Sequence, residues 1–313
     1  MRRWLLIALL ALAAIAAALW VTGLAGLAQA WFAMQGQRAE WQDKGLWLPH
    51  YTATLQARPI GGLDDNVSGL TFSAETGTLF TVINRPPSVA ELPPEARLLR
   101  HLPLRGATAP EGIPHVSGAR FIVADEGLNR LSWVTITPAT ASVDITGAPH
   151  LTLDFAGQDN MGFEGVSWDG AAHRLILVQE MWPVRILSVT GIETTLAGGR
   201  MELGVHDWAP SAGRAFLAAD LSSVTLNEAT GNLLLLSHMN AALYEYAPEG
   251  EVVSLLPLWR GWAGLAEGIP QAEGVAVGAA GEIYIVSEPI AGLSRLPVLR
   301  VPDECAYYKQ DAG

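Results

Sequence analysis

The sequence predicts an all-β protein, a single β-propeller of five blades carried behind one N-terminal transmembrane helix. Three observations predict it: an uncharged apolar run at the N-terminus, short apolar segments bounded by turn residues after it, and a fivefold internal repeat.

Arg2 and Arg3 precede a stretch from Trp4 to Met34 that contains no charged side chain. A helix over residues 4–27 is about 36 Å long, enough to cross a hydrocarbon core of about 30 Å. The two arginines stay on the cytoplasmic side and send the rest across, to the periplasm if the membrane is a bacterial inner membrane. The competing reading is a cleaved signal peptide, since Ala28-Gln29-Ala30 has the small-x-small form of a processing site. The apolar run is far longer than the ~7–15 residues of a signal-peptide core, which favours the anchor. The expected organisation is an anchor over 1–34, a linker over 35–45, the propeller over 46–304 and a tail over 305–313.

Beyond residue 45 no long amphipathic helix pattern appears. Half of the 313 residues are apolar and 16% are charged, with 32 glycines and 19 prolines, the composition of a folded, turn-rich chain. Five segments share one outline of opening strand, polar turn and strongly apolar closing strand. They open at Ser68, Glu111, Glu164, Ser222 and Glu273 and close at Asn84, Glu126, Glu180, His238 and Glu288, which are 16, 15, 16, 16 and 15 residues further on. Successive openings lie 43, 53, 58 and 51 residues apart. What remains after the fifth opening is too short for a full blade. The ring therefore closes by lending the strand around 51–56 to the last blade, which leaves no open sheet edge. A sixth blade is the alternative if residues 190–219 hide a degenerate unit. Trp168-Asp169 sits in a turn after an opening strand and does not recur, so it is no repeat signature.

The repeat implies a site. In a hairpin the first residue of one strand and the last of its partner share one end of the sheet, so their side chains are expected as neighbours. That pairs Glu111 with Glu126, Glu164 with Glu180, Glu273 with Glu288, Ser222 with His238 and Ser68 with Asn84. If the opening strands line the channel, all ten residues gather at one mouth, six of them glutamates. Two ionised carboxylates 10 Å apart repel by roughly 1.7 kcal/mol at an effective dielectric near 20, so such a ring calls for a cation, basic neighbours or raised pKa values. Hard oxygen ligands with at most one histidine favour Ca²⁺ over Zn²⁺. The plainer reading is that Glu-Gly marks a bulge at the strand start, with the glutamate solvated.

His238 stands where the other units have glutamate, and is the candidate general base, ligand or channel-lining residue. His206-Asp207 is a dyad on paper within an irregular insertion. Arg130 and Arg185 follow closing glutamates and either hold an anion or balance carboxylates. A net charge of −12 without a basic stripe argues against a nucleic-acid partner. The single cysteine, Cys305, forms neither an internal disulfide nor a CxxC metal knuckle. No GxSxG elbow, P-loop, HExxH or EF-hand loop is present.

Several motifs resemble the SdiA-regulated (YjiK/CarP-like) family of bacterial envelope proteins. They are Asn66-Val67-Ser68-Gly69-Leu70-Thr71, Asn84-Arg85-Pro86-Pro87, Gly162-Phe163-Glu164-Gly165, Leu235-Leu236-Ser237-His238, Ile269-Pro270-Gln271-Ala272-Glu273-Gly274 and 283–289. The resemblance spans about 51–299 and implies a β-propeller behind an N-terminal membrane segment. It implies little settled biochemistry, although calcium-related and phytase-like roles have been suggested in the family. Because Ser68, Asn84, Ser222 and His238 interrupt the glutamate ring, a bound cation is expected off-axis, towards the second, third and fifth blades. Two functions follow as expectations. One is binding of Ca²⁺ or a small ligand at the acidic mouth, with a small-molecule or protein partner on a propeller face. The other is a metal-dependent hydrolase, a phosphoesterase or lactonase with His238 as base.

Overall fold

The computed structural model describes residues 2–153, 163–179, 184–196, 198, 203–210 and 217–297. Glu180 and Cys305 lie outside the described residues, as do the end of the expected propeller and the tail. Five antiparallel sheets form five blades. Blade 1 runs through Val67–Ser73, Thr78–Asn84, Pro87–Leu92 and Arg100–Arg105, with Val143–Asp144 added in parallel at its outer edge. In blade 2 the inner strand is interrupted, as Pro110–Gly112 and His115–Ser117, before Arg120–Asp125, Arg130–Thr135 and His150–Thr152. Blade 3 is Gly165–Asp169, Arg174–Gln179, Arg185–Thr190 and Gly204–Trp208, and blade 4 is Ser223–Leu226, Leu233–Ser237, Ala242–Tyr246 and Val252–Pro257. Blade 5 takes Ala272–Val277, Ile283–Ser287 and Gly292–Leu296 from the C-terminal end and its outer strand, Leu55–Pro59, from the N-terminal end.

Three expectations shift in detail. The borrowed strand is Leu55–Pro59 rather than 51–56. Tyr51 is instead buried, its hydroxyl donating to the Gly281 carbonyl at 2.9 Å. The stretch 190–219 supplies Gly204–Trp208, the outer strand of blade 3, so it belongs to a five-blade ring and not to a sixth blade. Trp168-Asp169 ends the inner strand of blade 3 and does not lie in a turn, and Asp169 takes Arg174 Nε at 2.8 Å.

The second strands are apolar on both faces because each blade packs on two neighbours. Leu234 and Leu236 face the core shared with blade 5, while Leu233 and Leu235 face the core shared with blade 3. Around the axis the inner strands approach until only glycine fits. A Cβ built on Gly165 meets Ser223 Cα and Val224 N of blade 4 at 2.8 Å, and one on Gly274 meets Gly69 C and Leu70 N of blade 1 at 2.8 Å. The recurring Glu-Gly thus divides its labour: glycine lets neighbouring blades touch, and glutamate occupies the rim beside the contact.

The N-terminal apolar run is not one helix. Helix α1 (Arg2–Val21) ends before Gly23, whose φ of +70° breaks the run, and helix α2 (Leu24–Trp41) follows. Within α1, Arg3–Val21 is long and apolar enough to cross a membrane and is nowhere buried. By contrast α2 lies along the outer strand of blade 4. It buries Leu27, Ala30 and Met34, an i, i+3, i+7 stripe, in a core shared with Leu255, Tyr244 and Val252. The expected boundary at residue 34 therefore falls inside a packed helix, and most of the expected linker is helical. Both ends of this segment are tied down. The Asn240 amide donates to the Thr22 carbonyl at 3.2 Å. Downstream, the fully buried Glu245 accepts from the Leu46 and Trp47 amides at 2.7 and 3.1 Å, from Asn232 at 2.7 Å and from Ser254 at 2.6 Å.

Candidate functional site

Five opening residues do collect at one end of the ring, but the register differs from simple hairpin pairing. In blade 2, Pro110 pairs Asp125 and Gly112 pairs Ala124, which leaves Glu111 as the extra residue of a β-bulge. Glu273 is the extra residue in blade 5, between Ala272↔Ser287 and Gly274↔Val286, and Gly69 takes that place in blade 1. Blade 3 pairs without a bulge, Gly165 facing Val178, with the Glu164 amide donating to the Val178 carbonyl at 3.1 Å. Ser68 faces Val82, not Asn84, and the Ser222 amide donates at 2.9 Å to the carbonyl of Leu236, two residues before His238. Each bulge turns its residue out of the ladder, so the mouth is organised between blades as well as within them.

The carboxylate of Glu111 shows this most clearly. It is 7% exposed and accepts Ser68 Oγ at 2.6 Å and Asn84 Nδ2 at 2.8 Å, both from blade 1. Burial pushes its pKa up to about 7. The Ser68 and Asn84 hydrogen bonds oppose that rise, while the charges of Glu126 and Glu288 add to it. Glu111, Glu126 and Glu164 each offer an oxygen within 4.8 Å of the other two. Oxygens about 2.4 Å from one Ca²⁺ lie no more than about 4.8 Å apart, so the three fit a single hard cation. Of the six expected glutamates, three therefore form a compact group and Glu288 acts on it electrostatically. Glu273 instead faces His238, and Glu180 lies outside the described residues.

On the other side of the mouth, His238 Nδ1 is 3.0 Å from Asp220 Oδ2 and 3.8 Å from Glu273 Oε1. Ser222 Oγ donates to the Ala272 carbonyl at 2.7 Å, again across to the next blade. Asp220 is fully buried and was not singled out by the repeat, yet it organises this side. It accepts from the Ser237 hydroxyl and from the backbone amides of His238 and Met239. Asp125 does the mirror task in blade 2, accepting from Thr108 N at 2.6 Å, Thr108 Oγ1 at 2.9 Å and Leu128 N at 3.0 Å. An aspartate two residues before the opening residue Ser222, in one blade only, left no periodic signal to find.

The remaining candidates are drawn away from the mouth. His206 and Asp207 lie on the exposed outer strand of blade 3, where Arg185 grips Asp207 at 2.8 Å. The Arg130 guanidinium donates to the Ile145 carbonyl at 3.2 Å. Arg185 thus balances a carboxylate, and Arg130 is occupied by backbone.

The opposite end of the channel holds a cavity of about 300 Å³, lined from all five blades by residues that include Thr71, His115, Ser167, Asn227 and Glu228. Glu228 is the one carboxylate among its lining residues, so the carboxylate group lies at the other end.

The family model for SdiA-regulated proteins matches residues 43–291. Among solved structures, the chain is similar to glutaminyl cyclase from Myxococcus xanthus at 16% identity and a TM-score of 0.53, over 79% of this chain and 96% of that one. It is also similar to a luciferin-regenerating enzyme at 13% identity, a TM-score of 0.48 and coverage of 79% and 96%. A third, streptogramin B lyase, matches at 12% identity and a TM-score of 0.42, covering 79% and 98%. The likeness to the cyclase speaks for the propeller fold and for nothing finer.

Proposed function

The chain belongs to the SdiA-regulated family, and on that premise we propose a membrane-anchored, extracytoplasmic propeller that holds Ca²⁺ off-centre at its acidic mouth. The observation that carries this reading is the group of Glu111, Glu126 and Glu164, whose oxygens converge within 4.8 Å beside a buried carboxylate. The two hydrogen-bond donors to Glu111 are neutral groups, so a divalent ion would supply the positive charge that its ionised form needs. The position, at blades 2 and 3, agrees with the off-axis site expected from the interrupted ring.

The anchor reading draws support from α2. Cleavage after Ala30 would sever a helix whose Leu27, Ala30 and Met34 share one core with blade 4. Arg2 and Arg3 at the start of α1 favour a cytoplasmic N-terminus and place the propeller on the far side, the periplasmic side of a bacterial inner membrane.

A second reading, a metal-dependent phosphoesterase or lactonase, is favoured by one observation: His238 sits 3.0 Å from buried Asp220, the arrangement that orients a general base. Bound metal would supply a Lewis acid or an activated water there. His238 belongs to blade 4 and contacts Glu273 of blade 5, whereas the carboxylate group belongs to blades 2 and 3. That separation makes binding the better-supported function.

The test is thermal unfolding of the full chain in detergent, with EDTA and with added Ca²⁺. A ligand at a hundred times its Kd stabilises by about 2.7 kcal/mol. The expected shift is abolished by Glu111→Gln or Glu164→Gln, and reduced less by Glu273→Gln. No shift in the parent protein would end the cation reading. Turnover of a model phosphoester that survives His238→Ala would remove His238 as base.

A further inference from the structure

We infer that the mouth-side edge of blade 4, together with the first two turns of α2, is a second membrane contact that sits in the lipid interface. The inference rests on reading α1 as membrane-spanning, and adds to it a surface on the folded body. An apolar groove of about 410 Å³ runs between α2 and blade 4, lined among others by Leu24, Ala28, Phe32, Pro257, Trp259 and Trp262. Of the α2 residues that line it, only Leu27 is also buried in the core. Leu24, Ala28 and Phe32 recur at i, i+4 and i+8, and all three are exposed, Phe32 to 75%. Trp262, 40% exposed, meets Trp31 edge-on with ring centroids 5.4 Å apart. Trp259 is held in place by its indole, which donates to the Asn240 carbonyl at 3.0 Å.

The choice of lipid as occupant comes from three features of the molecule. First, the groove begins where the membrane helix ends. Only Thr22 and Gly23 separate α1 from α2, and Asn240 pins the Thr22 carbonyl to blade 4, so the groove cannot lie far from the bilayer surface. Second, α2 changes polarity along its length. Its exposed large side chains run from Leu24 to Phe32, about 12 Å of helix in which Gln29 is the one exposed polar residue, and the helix then carries exposed Gln35, Arg38 and Glu40. A helix leaving an interface for water needs that gradient, whereas a face that docks a second copy has no reason to grade along its axis. Third, tryptophans with Arg260 between them, on the exposed loop after the outer strand, match the aromatic and basic composition of a membrane-water boundary.

The experiment uses the full chain in lipid nanodiscs with Cys305→Ser, which removes the only native cysteine. Single cysteines at Ala14, Ala28, Phe32, Ala39 and Thr76 carry an environment-sensitive fluorophore, and the lipids carry a spin-label quencher. Loss of fluorescence at Ala28 and Phe32 comparable to that at Ala14, falling by Ala39 towards the level at Thr76 on the opposite face, is the expected result. Quenching at Ala14 with Phe32 no different from Thr76 overturns the interfacial contact and leaves the anchor standing. No quenching at Ala14 overturns the anchor, and the contact falls with it. A blue-shifted, lipid-insensitive signal at Phe32 that grows with the number of chains per disc assigns the groove to a second copy and likewise overturns the proposal.

Discussion

The two ends of the channel are made from the same inner strands, yet they solve opposite problems. At the far end the strands run out into turns that satisfy themselves. Asn227 Oδ1 accepts the Ala229 amide at 3.1 Å, and His115 Nε2 lies 2.8 Å from the Gly118 carbonyl and its ring packs on Phe121. Those acceptors and the ring are used locally, the Asn227 Nδ2 has no hydrogen-bond partner among the described residues, and a cavity is left between them. At the acidic mouth, bulges and inter-blade bonds bring polar side chains onto one another, and three carboxylates offer oxygens within 4.8 Å of each other. The lesson is that the two ends differ in chemistry: the cavity end is lined by uncharged and apolar groups with Glu228 at its edge, and the other end gathers the carboxylates.

Several measurements would break or sharpen that contrast. The largest effect is expected from Asp220→Ala, which leaves the Ser237 hydroxyl and two backbone amides without their buried acceptor. Breaking such a buried arrangement costs about 4 kcal/mol, readable as a lower denaturant midpoint.

The next largest is a pH effect. The pKa of Glu111 is raised from 4.5 to about 7, so between those values the folded protein binds more protons than the unfolded chain. Its contribution is fully present below about pH 4.5 and is lost as pH rises through 7, by about 3 kcal/mol in the absence of metal. Melts in EDTA across that range should show the decline, Glu111→Gln should flatten it, and saturating Ca²⁺ should also flatten it. A pH-independent parent would show that the mouth holds no strained carboxylate.

Gly165→Ala should cost about 2 kcal/mol, because its Cβ would press on the backbone of blade 4. The smallest effect belongs to the far end. Glu228→Gln, at an exposed residue beside the cavity, should alter stability by less than about 0.5 kcal/mol and leave the Ca²⁺ shift unchanged. Loss of the Ca²⁺ shift in that variant would reverse the assignment of the two ends.

Much of the ring was legible because a radial repeat writes the same instructions five times. The constant spacing of openings and closings located all five hairpins, and the shortfall at the C-terminus announced the strand exchange that closes the ring. Partners around the mouth were harder to read. A bulge at Glu111 or Glu273 adds one residue without changing the spacing, so side chains expected opposite each other are displaced, and Glu111 finds Ser68 and Asn84 in another blade. Contacts between blades have large sequence separations and no period, which is why Asp220 passed unnoticed. The break at Gly23 was hidden for a different reason. Hydropathy continues through it, and only the packing of α2 on blade 4 distinguishes a helix that needs lipid from one that has found protein.

The turn at 238–241 has a consequence for how a solute finds this protein. It presents His238 to the mouth and, two residues later, Asn240 to the root of α1. With α1 in a bilayer, the mouth would open on the membrane side of the propeller, towards the counter-ion layer of the lipid headgroups, which extends about a Debye length, ~8 Å, from the surface. If the mouth holds a cation as proposed, its supply would then depend on the charge of the nearby lipids, and a change in lipid composition alone would retune occupancy with no change in the protein.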